Sequence, residues 1–291
     1  QASAQLKEIG VFLGATNYLG ELGGASKIGR PFLNDLELNM TRPAVGMFYR
    51  YNLNSFLSVR GNFIWGVARG NDALSYPRAV YADEWYRYYR NLSVRTSITE
   101  FSAQFELNIM KYEPRRKRYR FAPYFFVGVG GFQFVPKAKY FDPNTDSERW
   151  VDLRSLGTEG QGTAEYPDRQ KYRPVAMCFP MGFGFKYAIN RYWNLGFELG
   201  HRITTTDYLD DVSKTYVGEE IFNNNFDEET AALMYAMSRR SPEIPGGGNY
   251  AYVTDTYQQR GDPHDFDHYM FMGAMVVIFN ITGGKIITPK F

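Results

Sequence analysis

The sequence has one cysteine, Cys178, in 291 residues, and only three histidines, His201, His264 and His268. A single thiol closes no intramolecular disulfide. A small buried side chain on the inward face of a strand accounts for Cys178 more simply than a reactive thiol does. Net charge is also nearly absent, with 33 Lys and Arg against 31 Asp and Glu, so there is no electrostatic footprint for nucleic acid. Long apolar runs are missing too. No stretch reaches the roughly 20 consecutive apolar residues that a spanning helix needs. The nearest are two charge-free runs of 16, residues 121–136 and 269–284. Pro123, Gly128, Gly130 and Gly131 in the first, and Gly273 and Gly283 in the second, suit strands better than helices. Gly246 to Gly248 precede no Lys-Ser or Lys-Thr pair, so they form no phosphate cradle, and no cofactor is expected. The start at Gln1, without Met, is what signal-peptide removal leaves, although a trimmed chain would look the same.

What the chain does have is 23 Tyr, 23 Phe and 28 Gly, a bias toward strands and close backbone packing. In PVAMCFPMGFGFKYAI, residues 174–189, every odd position from Val175 to Ile189 is apolar, while the even ones are small apart from Pro180 and Lys186. The period of two is that of a strand. It recurs around Ile9–Ala15, Val45–Tyr51, Leu57–Val67, Phe101–Ile109 and Trp193–Leu199, and more weakly over Tyr119–Phe134. Leu92 to Ile98 run in the phase opposite to Phe101–Ile109, which predicts a bulge near Thr99. Pro180 cannot donate a ladder hydrogen bond, so a bulge or local break is expected there. An eighth run, Tyr269–Ile281, is apolar on both faces and its phase is unreadable.

Links after the second, fourth and sixth runs are brief, and those after the other runs are long, reaching 204–268 in the last loop. Eight strands with alternating short and long links predict an all-β fold: an antiparallel transmembrane barrel of the outer membrane with short periplasmic turns and long extracellular loops, as a single unit over residues 1–291. A barrel needs oil on only one face of each strand, which reconciles it with a mean hydropathy of −0.41. Arg50, Arg60, Glu106, Lys186, Glu198 and Arg202 fall in the inward phase. An eight-stranded interior has room only for side chains, so these charges are expected to pair and plug the lumen, excluding a diffusion channel.

Several constellations invite a chemical reading. His201 with Asp207 or Ser213 would make a hydrolase at the barrel rim, but no motif supports it, and an interfacial His is the plainer reading. His264 and His268 flank Asp265 and Asp267 at a spacing that signals metal only weakly. Asp207, Asp210 and Asp211 in TTTDYLDDVS (204–213) admit either Ca²⁺ ligation or Asx turns and caps, and the same holds for DPNTD (142–146). In KYEPRRKRYR (111–120), Arg115, Arg116, Lys117 and Arg118 stand at the periplasmic rim, suited to anionic lipid headgroups or to a docked periplasmic protein. DEWYRYYRN (83–91) reads as an aromatic girdle at the membrane interface or a recognition surface. Residues 227–240 begin acidic and end in Arg239 and Arg240, which predicts a short helix.

Three stretches together, EIGVFLGATNYLGELGG (8–24), RPAVGMFYRYNLNSFLSVRGNF (42–63) and GHRITTTDYLDDVSKTY (200–216), resemble the PorG family, outer-membrane barrels of the type IX secretion system. The resemblance implies a non-enzymatic component that associates with a periplasmic ring built from the lipoprotein PorK and its partner PorN, with outer-membrane lipid around it. It supplies no catalytic residues. Residues 219–262 lie outside it.

Overall fold

The computed structural model describes residues 6–22, 40–75, 83–114, 116–142, 145–190, 192–245, 247–282 and 285–287. Eight strands close into an antiparallel barrel: β1 (Leu6–Leu19), β2 (Arg42–Asn52), β3 (Leu57–Asn71), β4 (Ser93–Asn108), β5 (Phe121–Asp142), β7 (Val175–Ala188), β8 (Asn194–Thr204) and β9 (His268–Thr282). Closure comes from β1 pairing with β9, from Leu6 opposite Thr282 to Leu19 opposite His268. One register shift falls between Ile9 and Gly10. Outside the barrel, β6 (Ser147–Asp152) extends the upper end of β5 as a hairpin. β10 (Lys285–Ile287) folds back on β9 beyond the point where β8 has ended. Among the described residues no helix is long and apolar enough to cross a membrane.

Alternation sets the two faces. Outward residues are apolar and open: Phe101 is 63% exposed, Val127 60% and Met47 59%. A continuous belt of such side chains around a closed sheet is what hydrocarbon covers. The small even positions of β7 answer to the opposite face. A Cβ on Gly184 would lie 2.8 Å from the Tyr124 ring, and one on Gly182 would lie 2.1 Å from the Leu199 carbonyl oxygen. Glycine there makes room for the bulky inward side chains of β5.

Pro180 interrupts pairing without moving it. β7 and β5 keep one register from Phe121 opposite Tyr187 to Gln133 opposite Val175, and only the pairs at Pro180 and Phe179 drop out. The expected bulge near Thr99 is absent. β4 pairs with β3 in unbroken register from Leu107 to Ser93, and every even residue of β4 points inward. What inverts is the chemistry of the lumen. Above Glu100 the inward residues Ile98 and Val94 are apolar and buried, with Thr96 between them donating to the Leu209 carbonyl at 2.7 Å, and the outward ones, Thr99, Ser97 and Arg95, are polar. The strand has left hydrocarbon there and its lumen is closed from above.

That closure is a cap made by the long connections. It holds α1 (Asp83–Arg90), α2 (Leu153–Leu156), α3 (Glu219–Asn225) and α4 (Glu228–Ser238). Its apolar core continues into the barrel mouth: Phe222, Met234, Leu209 and Val212 share one cluster with Ile98, Phe132, Phe134 and Phe271. α4 begins where Asp227 accepts a hydrogen bond from the Thr230 amide at 3.0 Å, an N-cap. The aromatic girdle read over 83–91 is not one. Residues Asp83–Arg90 form α1, and Trp85 is buried within the cap against Tyr89 (4.8 Å between ring centroids) and Tyr250 (5.4 Å).

Candidate functional site

Inside the barrel, Arg50, Arg60, Glu106, Lys186, Glu198 and Arg202 lie together with Glu8 and Glu100. Glu106 sits at the centre, 2.9 Å from Arg50 Nε, 3.1 Å from Arg60 Nη1 and 3.0 Å from Lys186 Nζ. Arg50 also reaches Glu8 at 2.7 Å, and Arg60 reaches Glu198 at 2.6 Å. Higher up, Arg202 Nε meets Glu100 at 3.1 Å. Four cations thus face four carboxylates, every one with a side chain 4% exposed or less. Tyr124 donates to Glu198 (2.8 Å), Tyr269 to Glu100 (3.0 Å) and Asn194 to Glu8 (3.1 Å). A neutral, hydrogen-bonded set of this kind is how a low-dielectric interior tolerates charge. Below it, Tyr112 from the β4–β5 turn packs on Ala122 and Ala188 and closes the short-turn end. The lumen is filled from end to end.

A second cluster lies where the cap meets the rim. Tyr18 Oη is 2.7 Å from Asp210 Oδ2 and 2.6 Å from Asp267 Oδ1. A phenol has one hydrogen, so it donates to one carboxyl, and the other must carry a proton and donate back. Burial first, then neighbouring carboxylates such as Glu21, push Asp210 up to about 8. Burial opposed by Arg90 leaves Glu21 at about 7. Asp207 rises to about 9, from burial and, secondarily, the charges of Asp210 and Glu21. Asp211 turns away to Arg260 (3.6 Å) and Tyr172 (2.7 Å). The three aspartates of TTTDYLDDVS therefore do not converge. Among the described residues no three His, Cys, Asp or Glu side chains are grouped to hold a metal ion.

The remaining sequence candidates separate. His201 Nε2 lies 3.0 Å from His268 Nδ1, and Asp207 and Ser213 are buried. Asp267 is committed to Tyr18 and to the Leu209 amide (2.9 Å), while His264 is exposed. At the short-turn end Arg116, Lys117 and Arg118 are exposed, and Arg116 shares Glu113 with Lys111 at 3.0 and 2.8 Å. Arg115 lies outside the described residues.

A closed eight-stranded barrel with an oily exterior, a lumen blocked by ion pairs and one end capped by its own loops belongs to the class of small outer-membrane barrels. The family model described as a domain of unknown function, DUF6089, matches residues 1–152, and the chain belongs to this family. No curated protein matches the sequence. Solved structures that resemble it include Ail of Yersinia pestis, in complex with a heparin analogue (8% identity, TM-score 0.37, 96% of this chain and 99% of that one). The N-terminal barrel domain of Pseudomonas aeruginosa OprF is another (8%, 0.33, 97% and 100%), as is Neisserial surface protein A (6%, 0.34, 96% and 96%). At these values the likeness carries no functional information, and the membrane assignment rests on the barrel's own surface.

Proposed function

We propose that this protein is a non-enzymatic outer-membrane component of a protein secretion system of type IX, anchoring or positioning a periplasmic ring of PorK-like and PorN-like proteins. The observation that carries the reading is the filled lumen. With four cations and four carboxylates packed across it, the barrel offers no conduit, so it acts through its ends. The likeness of residues 8–24, 42–63 and 200–216 to the PorG family supports the choice of system. The exposed cations Arg116, Lys117 and Arg118 at the short-turn end support the ring as the partner, with Arg115 in the same run. The test is capture of the tagged full chain from detergent-solubilised membranes. Ring proteins are expected to co-purify, and an Arg116→Glu, Lys117→Glu, Arg118→Glu variant is expected to lose them while remaining a folded barrel. Recovery of no ring protein by the unaltered chain defeats the proposal.

A further inference from the structure

Sequence spacing couples His268 with His264, but the fold couples it with His201. His201 Nε2 and His268 Nδ1 lie 3.0 Å apart, with ring centroids at 4.8 Å. On β8, Arg202 turns into the lumen to meet Glu100, and on β9 Tyr269 donates to the same carboxylate. Strand alternation therefore sends their neighbours His201, His268 and Met270 to the outer face. The register completes the group: Met270 is directly opposite His201 and two residues along β9 from His268. Met270 is buried, and both imidazoles are half-buried.

What such a group can hold follows from its donors. One ring donates an N–H to the lone pair of the other, so a single proton sits between two nitrogens that are both able to ligate. A cation bound to both, with bonds of about 2.0 Å and an angle of about 110–120°, needs the nitrogens about 3.3–3.5 Å apart. Opening the pair by less than about 0.5 Å is a small ring rotation within one rotamer well. Each ring then keeps its N–H on the far nitrogen, so the neutral pair loses no proton. Asp265 is near enough for its charge to act on His268, which favours a cation, but among the described residues no third His, Cys, Asp or Glu joins the pair. The third donor of the group is the Met270 thioether. Two neutral imidazoles and a thioether make a soft, uncharged set, unlike the oxygen cages of Ca²⁺ and Mg²⁺ or the thiolate and carboxylate ligands that Zn²⁺ takes beside imidazole. Such a set selects Cu(I).

We propose that His201, His268 and Met270 form a Cu(I) site on the outer rim of the barrel. Its position has a mechanical consequence. β8 ends at Thr204 and β9 begins at His268, so the two imidazoles bracket the connection 205–267 that carries α3 and α4. A cation held by both clasps the two ends of that part of the cap. The site does not depend on the secretion assignment, because it sits at the end opposite Arg116–Arg118.

The experiment uses the full chain with Cys178→Ala, which removes the one thiol, in detergent micelles under anaerobic reducing conditions. Cu(I) is titrated against a chromophoric chelator, with Zn²⁺ in a parallel titration. A single Cu(I) is expected to bind each chain, more tightly than Zn²⁺, and the X-ray absorption spectrum of the loaded protein should show both nitrogen and sulfur bound to copper. That spectrum tests the site without any substitution in it. His201→Gln and His268→Gln should each weaken binding at least about tenfold, the loss that changes to outer-shell partners alone produce. Met270→Leu nearly conserves volume and should remove the sulfur neighbour. His264→Ala, at an exposed position, should change nothing. Unfolding midpoints without metal show which variants are folded, and added Cu(I) should raise the midpoint of the unaltered site but not of the histidine variants. Undiminished Cu(I) binding by folded histidine variants overturns the site. Tighter binding of Zn²⁺, or a copper shell without sulfur, overturns its assignment to Cu(I).

Discussion

Replacing Glu106 by Gln tests the lumen most severely. Both carboxylate oxygens are in use. Oε1 accepts from Arg50 Nε (3.0 Å) and meets Arg60, while Oε2 meets Arg50 and Lys186. Whichever way the amide turns, its NH₂ faces donors, so the variant loses a charge and acquires a donor–donor contact. The interior changes from four cations and four carboxylates to four and three, leaving one uncompensated charge among side chains at most 4% exposed. Breaking a buried pair from one side costs about 3–5 kcal/mol. Urea unfolding of the barrel in lipid vesicles should show that loss as a lower midpoint with an unchanged slope. Adding Lys186→Met restores neutrality and should recover part of the loss, so the double variant should be more stable than Glu106→Gln alone. A Glu106→Gln midpoint within about 0.5 kcal/mol of the parent, the range of an ordinary surface substitution, would refute the reasoning.

The acid cluster at the cap gives a second expectation. Unfolded carboxyls titrate near 4, whereas Asp210 and Glu21 hold their protons in the fold to about 8 and about 7. Between the unfolded and folded values the folded chain binds more protons than the unfolded one, so cap stability falls as pH rises from about 4 and goes on falling to about 9, the value for Asp207. Asp210→Asn should flatten the slope in urea midpoints followed by the fluorescence of Trp85, and a midpoint that climbs over that range would count against the cluster. Trp85→Ala should cost the cap about 3–5 kcal/mol as a buried aromatic is removed. Protease should then cut the cap while the barrel survives; a cap as resistant as before would show that α1 does not hold it.

The barrel was legible because its lipid-facing half keeps one period. The six inward charges follow from counting along the runs that start at Val45, Leu57, Phe101, Val175 and Trp193. Glu100 escaped because the lumen turns apolar above it, and a change of solvent looks in sequence like a change of phase. The phase of β9 is hidden because its inward residues Tyr269, Phe271, Met275 and Val277 are as oily as its outward ones, even at the level of the ion pairs, where Met275 lies against Arg60 and Tyr124. In the cap, distance defeated the reading. Tyr18, Asp210 and Asp267 are separated by up to 249 positions, and nothing local marks them as partners. The aromatics of α1 carried a composition common to membrane girdles and to buried clusters, and only their contact with Tyr250 decides between the two.

Spin labels on β4 in a Cys178→Ala background test the central claim directly. Labels at Phe101 and Phe105, which face outward, and at Ser102, which faces inward, are compared in lipid vesicles for access to oxygen, a lipid-soluble relaxer, and to a water-soluble nickel chelate. A plugged, lipid-immersed barrel predicts high oxygen access at Phe101 and Phe105 and little access of either reagent at Ser102. Strong nickel access at Ser102, or no oxygen preference at Phe101, would contradict it.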